Sequence, residues 1–302
     1  MSRRGWALFL SMGVIWGVPY LLIKIAVEEL EPSTMVLART ALASLLLLPL
    51  AVTRGALRDV VRAWRPVTAF AVVEIMVPWV LLGVAEQRLP SSLTGLLVAA
   101  VPLVGAALAI ATRSDDRLDG RRVVGLLTGF AGVATLVGFE VGGGDPRSVA
   151  AVAVVAVCYA AGPLILARWL SHLPAVGVIT VSMLLTTVAY LPIGVAQAPS
   201  DWPSADVVLA VVGLAVICTA VAFVVFFALI AEVGPARSTV ITYLNPAVAV
   251  LLGVTVLDER FTAATAAGFV LILAGSVLAT RSAAPAAVSP PQAEADACLT
   301  EA

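Results

Sequence analysis

Ten apolar runs divide the chain, at about residues 6–27, 34–53, 66–85, 91–112, 122–139, 149–168, 175–196, 206–230, 236–257 and 262–280, and most charged residues gather in the short stretches between them. Each run is close to the ~20 residues a helix needs to cross ~30 Å of hydrocarbon. None alternates apolar and polar positions at a period of two, as the strand of a membrane barrel must. Within hydrocarbon every backbone N–H and C=O needs an internal partner, which leaves helices as the spanning element. The pattern predicts an all-α integral membrane protein with ten transmembrane helices.

The runs come as two copies of one unit. Pro19, Pro32, Pro49, Pro66, Pro90 and Pro102 recur as Pro163, Pro174, Pro192, Pro203, Pro235 and Pro246, and Gly125 and Gly132 recur as Gly268 and Gly275, at offsets of 137 to 145 residues. Half of ten is odd, so the second copy enters the membrane in the opposite sense. Inverted repeats of this kind are typical of secondary transporters. The expected division is a first five-helix repeat over 1–139, a second over 140–281, and a tail over 282–302 whose Ala, Pro and acidic residues predict disorder.

Composition agrees with a lipid environment. Of 302 residues, 61% are hydrophobic and 12% charged, too few charges to clothe a soluble domain of this size. A net charge of −1 gives no pull toward nucleic acid. Cys158, Cys218 and Cys298 form neither a disulfide framework nor a metal-ligand spacing, and His172 is the one histidine. No cofactor motif and no phosphate-binding loop occurs, so ATP-driven pumping is not expected. Nothing in the sequence sets an oligomeric state.

Arginine gives the chain a direction. With the N-terminus in the cytoplasm, thirteen Lys or Arg residues fall on the inner side (Arg3, Arg4, Arg54, Arg58, Arg62, Arg65, Arg113, Arg117, Arg121, Arg122, Arg168, Arg237 and Arg281). Five fall on the outer side: Lys24, Arg39, Arg88, Arg147 and Arg260. The bias predicts a multi-pass inner-membrane protein with both termini cytoplasmic. Charge alone leaves nine or eleven spans open; the duplication favours ten. Arg3 and Arg4 ahead of an apolar run suggest a signal peptide, but the length of the run and the lack of a clear cleavage site predict a retained first helix.

Trp16-Gly17 with Lys24 in the first run, Arg39 in the second, Pro90-Ser91-Ser92 leading into the fourth, Val101-Pro102 and the Gly125/Gly132 pair resemble an EamA domain. So do Gly234-Pro235-Ala236-Arg237-Ser238, Asn245-Pro246, Leu257-Asp258-Glu259-Arg260 and Gly268/Gly275 in the second copy. The ordered set resembles the EamA branch of the drug/metabolite transporter superfamily over about residues 6–280. The resemblance implies a cavity between the halves and export or exchange of small metabolites, amino acids or related compounds among them. Ala160-Ala161 stands where the first copy has Trp16-Gly17, so the two cavity walls are expected to differ.

The candidate chemistry is sparse. Glu74 lies about eight residues into the third run, ~12 Å deep by helix rise. A carboxylate facing lipid there costs several kcal/mol, so it should face the bundle interior or water. A carboxyl that is dry in one state and hydrated in another can take up a proton and release it, which suits antiport; the alternative is a structural hydrogen bond. Arg39 suits a substrate carboxylate, or else an ion pair with Glu28, Glu29 or Glu31, or outward snorkelling. Lys24 is expected to pair with Glu28 at i+4 or to snorkel. Trp16, Tyr20, Trp79, Tyr159 and Tyr243 are rings able to line a cavity. Trp16 and Tyr243 lie deeper and are the better cavity candidates, whereas Tyr20 and Trp79 read alternatively as interfacial belt residues. Asn245, ahead of Pro246, faces either a cavity or a neighbouring helix. Pro102 and Pro246 are hinge candidates. Gly125, Gly129, Gly132, Gly268 and Gly275 predict close helix packing.

Three functions follow. The first is a secondary transporter, with or without proton coupling, whose partners are a small-molecule substrate and the lipid bilayer. The second is a membrane enzyme acting on a lipid diphosphate through Asp115-Asp116-Arg117-Leu118-Asp119, since carboxylates suit magnesium. The interleaved arginines and the lack of the pattern in the second copy argue against it. The third is a non-transporting scaffold or sensor.

Overall fold

The computed structural model describes residues 1–111, 120–140, 145–234 and 238–280. The Asp115–Asp119 cluster, Pro235-Ala236-Arg237 and the tail from Arg281 lie outside the described residues. All ten runs are helical: α1 (Arg3–Ala26), α2 (Pro32–Thr53), α3 (Trp64–Glu86), α4 (Ser91–Ala111), α5 (Gly120–Glu140), α6 (Pro146–Leu170), α7 (Ala175–Ala196), α8 (Ala205–Val233), α9 (Thr239–Tyr243 continuing as Asn245–Val256) and α10 (Ala263–Thr280). Nine are long and apolar enough to cross a membrane, the interrupted α9 is shorter, and no strand occurs among the described residues. Apolar side chains such as Leu45, Leu127, Phe139, Val188 and Leu209 stay exposed along the spans, as expected of a surface that faces lipid.

Proline and small polar residues set the helix starts. Ser2 accepts the Gly5 N–H at 2.9 Å to open α1, and Asp145 accepts the Arg147 N–H at 3.2 Å ahead of Pro146 to open α6. Pro32 occupies the first turn of α2, where its missing N–H costs nothing. Pro19, Pro49, Pro163 and Pro192 lie inside helices.

The packing repeats as the sequence does. α2 runs antiparallel to its counterpart α7: Thr34 donates to the Gly194 carbonyl at 2.9 Å near one end, Thr187 bonds Thr40 at 3.1 Å in the middle, and Gly177 lies against the Ala56 carbonyl at the other end. α4 and α9 are antiparallel too, with Gly95 against Ala249 and Ser91 beside Gly253. α5 and α10 form the tightest pair, Gly125 and Gly129 against Gly275 and Gly132 against Gly268, backbone on backbone. The remaining contacts exchange under the same operation: α1 packs on α8 and α9, and α6 packs on α3 and α4. Counterpart helices that pair antiparallel are what an in-plane two-fold axis between inverted repeats produces.

The breaks in the helices also repeat. α3 carries a π turn at Ala71–Met76 and α8 one at Val216–Val221. α4 is interrupted at Ala99-Ala100 just before Val101-Pro102, and α9 at Tyr243-Leu244 just before Asn245-Pro246. Pro102 and Pro246 therefore sit in the first turn after a break rather than inside a continuous helix.

Candidate functional site

Widened turns leave carbonyls without their usual helix partners, and side chains take them up. Tyr190 of α7 donates to the Met76 carbonyl at 2.9 Å, and Thr219 donates to the Leu214 carbonyl, five residues earlier in α8, at 2.8 Å. Glu74 and Thr219 are each the fourth residue of their π turn, so the two repeats offer a carboxyl and a hydroxyl at equivalent places.

Glu74 projects against Gly162 of α6, close enough that a Cβ on that glycine would overlap the carboxyl. Its Oε2 is shielded and has no hydrogen-bond partner among the described residues. Thr219 accepts a hydrogen bond from Arg39 Nε at 3.1 Å. The Arg39 guanidinium lies over the Trp79 ring, 3.5 Å from its centroid, and the residue is only 4% exposed. Such stacking holds a desolvated cation in place. Arg39 makes no ion pair with any described residue. Glu28, Glu29 and Glu31 are therefore not its partners, and it does not snorkel: Trp79 and Thr219 draw it inward. Tyr159 of α6 lies within electrostatic reach of both Glu74 and Arg39, with Trp79 and Cys158 beside it. Tyr20, also buried, adjoins Tyr159.

Five of the residues singled out in the sequence, Tyr20, Arg39, Glu74, Trp79 and Tyr159, thus converge at the meeting of α1, α2, α3 and α6, with α8 behind Arg39. Tyr20 and Trp79 are core residues and not belt residues: both are buried, and Trp79 lies against the Arg39 guanidinium. Trp16 belongs to a neighbouring aromatic cluster on α8, with ring centroids 4.7 Å from Phe226 and 6.2 Å from Phe223. Asn245 turns to α1: with the amide oriented so that its nitrogen faces the two nearby carbonyls, it donates to Gly13 at 3.1 Å and to Ile241 at 3.0 Å. Tyr243 stands apart, its hydroxyl 3.3 Å from Thr280 near the end of α10, so the break in α9 carries it away from the cluster.

Lys24 also departs from expectation. It bonds the carbonyls of Glu86 and Leu89 at 2.6 and 3.2 Å instead of pairing with Glu28. The last carbonyls of α3 lack helix partners and attract a cation. Glu86 itself is completely buried, and neither carboxyl oxygen has a hydrogen-bond partner among the described residues. Ending the third run at residue 85 hid it in a loop; its i+7 spacing from Trp79 was the available signal. Gly162 and Thr219 carried no signal short of aligning the two π turns. Outside the spans, Ser204 donates hydrogen bonds to Glu29, the backbone one at 2.8 Å, and they hold that carboxyl below its usual range. No group of three or more His, Cys, Asp or Glu side chains able to hold a metal occurs among the described residues.

The model of the EamA-like transporter family matches residues 3–138 and again 147–281. The chain is 30% identical over 265 residues to the uncharacterized inner membrane transporter YedA of Escherichia coli, covering 82% of this chain and 80% of that one. It is 26% identical over 299 residues to a probable terminal-alkyne amino-acid exporter of Streptantibioticus cattleyicolor, covering 93% and 94%. One crystal structure, 22% identical and covering 92% of this chain and 98% of its own, aligns with a TM-score of 0.66 and shares the fold.

Proposed function

The chain belongs to the EamA-like transporter family, which makes it a multi-pass membrane transporter and not an enzyme, and on that premise we propose that it exports small zwitterionic metabolites, amino acids or related compounds, by alternating access. The observation that carries this reading is a buried guanidinium and a buried carboxyl held apart. Arg39 and Glu74 lie within reach of the same phenol, Tyr159, yet form no ion pair with each other or with any described residue. A buried charge without a partner is costly. A ligand bearing both a carboxylate and an ammonium supplies both partners at once, the carboxylate to Arg39 and the ammonium to Glu74. The amino-acid exporter among the relatives supports the same class.

The supports of the two groups cross between repeats. Arg39 and Glu74 belong to the first repeat, 1–139, and rest on Thr219 and Gly162 of the second, 140–281. Rocking one repeat against the other disturbs both contacts together and so couples occupancy to opening. The arginine bias supports placing both termini in the cytoplasm, and the exporter among the relatives supports outward flux.

Glu74 is also the coupling group in this reading, giving up its proton as the ammonium arrives. Glu74→Gln in proteoliposomes is expected to abolish flux driven by a pH gradient while leaving the protein monodisperse and thermally stable. Undiminished gradient-driven flux would take Glu74 out of the coupling role.

A further inference from the structure

We infer that Glu259 is a latch between the repeats, closing the end of the bundle opposite the N-terminus. The first turn of α4 has no capping side chain of its own, since Pro90 precedes Ser91. Its free N–H groups are capped by the second repeat: Ser91 N–H and Ser92 N–H donate to the two carboxylate oxygens of Glu259 at 2.6 and 2.9 Å. A carboxylate on a helix N-terminus gains from the free donors and from the helix dipole together.

The local backbone is shaped for this contact. α9 ends at Val256, Asp258 takes a left-handed turn at φ 53°, and the Glu259 N–H folds back onto the Gly253 carbonyl at 3.1 Å. The turn lays the carboxylate over Gly253, where a Cβ would overlap Glu259 Oε2 and approach Ser91 Oγ at 3.0 Å. Gly253 is therefore what lets the latch seat. Other polar ties between the repeats gather at the same end: Ser33 with Gln197, and the Ser204 N–H with Glu29 at 2.8 Å.

Beneath the latch lies a group that favours release. Glu86 is within electrostatic reach of Glu259, Lys24 and Tyr20, and its carboxyl is buried without a hydrogen-bond partner among the described residues. An unsatisfied buried carboxyl, neutral or charged, penalises the closed arrangement and is relieved when water enters. Glu259 thus holds this end shut against the demand of Glu86 for solvent. The inference rests on the transporter reading only in that a transporter must open at this end; its test uses no substrate.

The test is the rate at which a bulky hydrophilic maleimide reacts with Cys158 and Cys218, which lie beside Tyr159 and Arg39, in the full chain carrying Cys298→Ser. Glu259→Ala and Gly253→Ala are each expected to speed labelling about tenfold, the loss of one helix cap. Glu259→Gln, which keeps the shape and loses the charge, should fall between them and the parent. Glu86→Leu should slow labelling. Labelling at the parent rate in Glu259→Gln and Gly253→Ala, with both eluting as the parent does in size exclusion, overturns the latch. Labelling of Glu86→Leu at or above the parent rate overturns the part given to Glu86. Both readouts stand whether or not Arg39 and Glu74 bind a zwitterion.

Discussion

If the ligand is the zwitterion proposed above, Arg39→Ala is expected to lose recognition of its carboxylate: affinity for an amino acid should fall by at least about 30-fold, the lower end of what truncating one partner of a buried charge pair costs. The guanidinium is stacked on Trp79 and anchored at Nε by Thr219, which leaves its terminal nitrogens to face a ligand. A bidentate carboxylate fits that edge, and an ammonium in its place does not, so Arg39→Lys restores charge without restoring affinity. The check is a pair of ligands, an amino acid and the amine that lacks its carboxyl, titrated against both proteins by equilibrium binding. Unaltered protein is expected to separate the two strongly, and Arg39→Ala to bind them nearly alike. Equal loss of affinity for both ligands would mean that Arg39 supports the site without reading the carboxylate.

Gly275→Ala is the change expected to harm the fold most. A Cβ there would overlap the backbone of Gly129 and the carbonyl of Gly125, and backbone cannot move aside as a flexible side chain does. Overpacking in a well-packed interface costs ~1–3 kcal/mol, and a clash with backbone belongs at the upper end. Gly138→Ala is the contrast, since nothing lies within 4 Å of its added Cβ. There the gain in helix propensity, up to ~1 kcal/mol, should leave stability unchanged or raised. Thermal unfolding of the two variants in one detergent should therefore move in opposite directions. A Gly275→Ala protein that melts with its parent would show α5 and α10 packing less closely than their backbones indicate.

Much of the architecture was legible in the residues. Ten spans, their limits to within a few residues, the doubled unit and its odd helix count all follow from one fact: hydrocarbon tolerates only long apolar helices, so composition along the chain maps onto topology. The packing glycines were legible for a related reason, because small residues recurring on one helix have few other uses in lipid. Glu74 stood out because a carboxyl in an apolar run is costly wherever it points.

Direction and partnership were decided by the tertiary structure. Arg39 and Lys24 have acidic neighbours close in sequence, yet each takes partners from other helices: Trp79 and Thr219 for one, the carbonyls that end α3 for the other. Glu86 passed for a loop residue because a helix end cannot be placed to one residue from hydropathy. The π turns of α3 and α8 leave no mark in composition, and Glu74 and Thr219 occupy the same place in them while carrying different chemistry. By itself the sequence determined how many helices there are, where they run and that they come in two inverted sets, since each helix must satisfy its own backbone within lipid. Only the tertiary structure decided which polar groups meet, because side chains on a helix face in all directions and the bends that aim them come from packing against the other repeat.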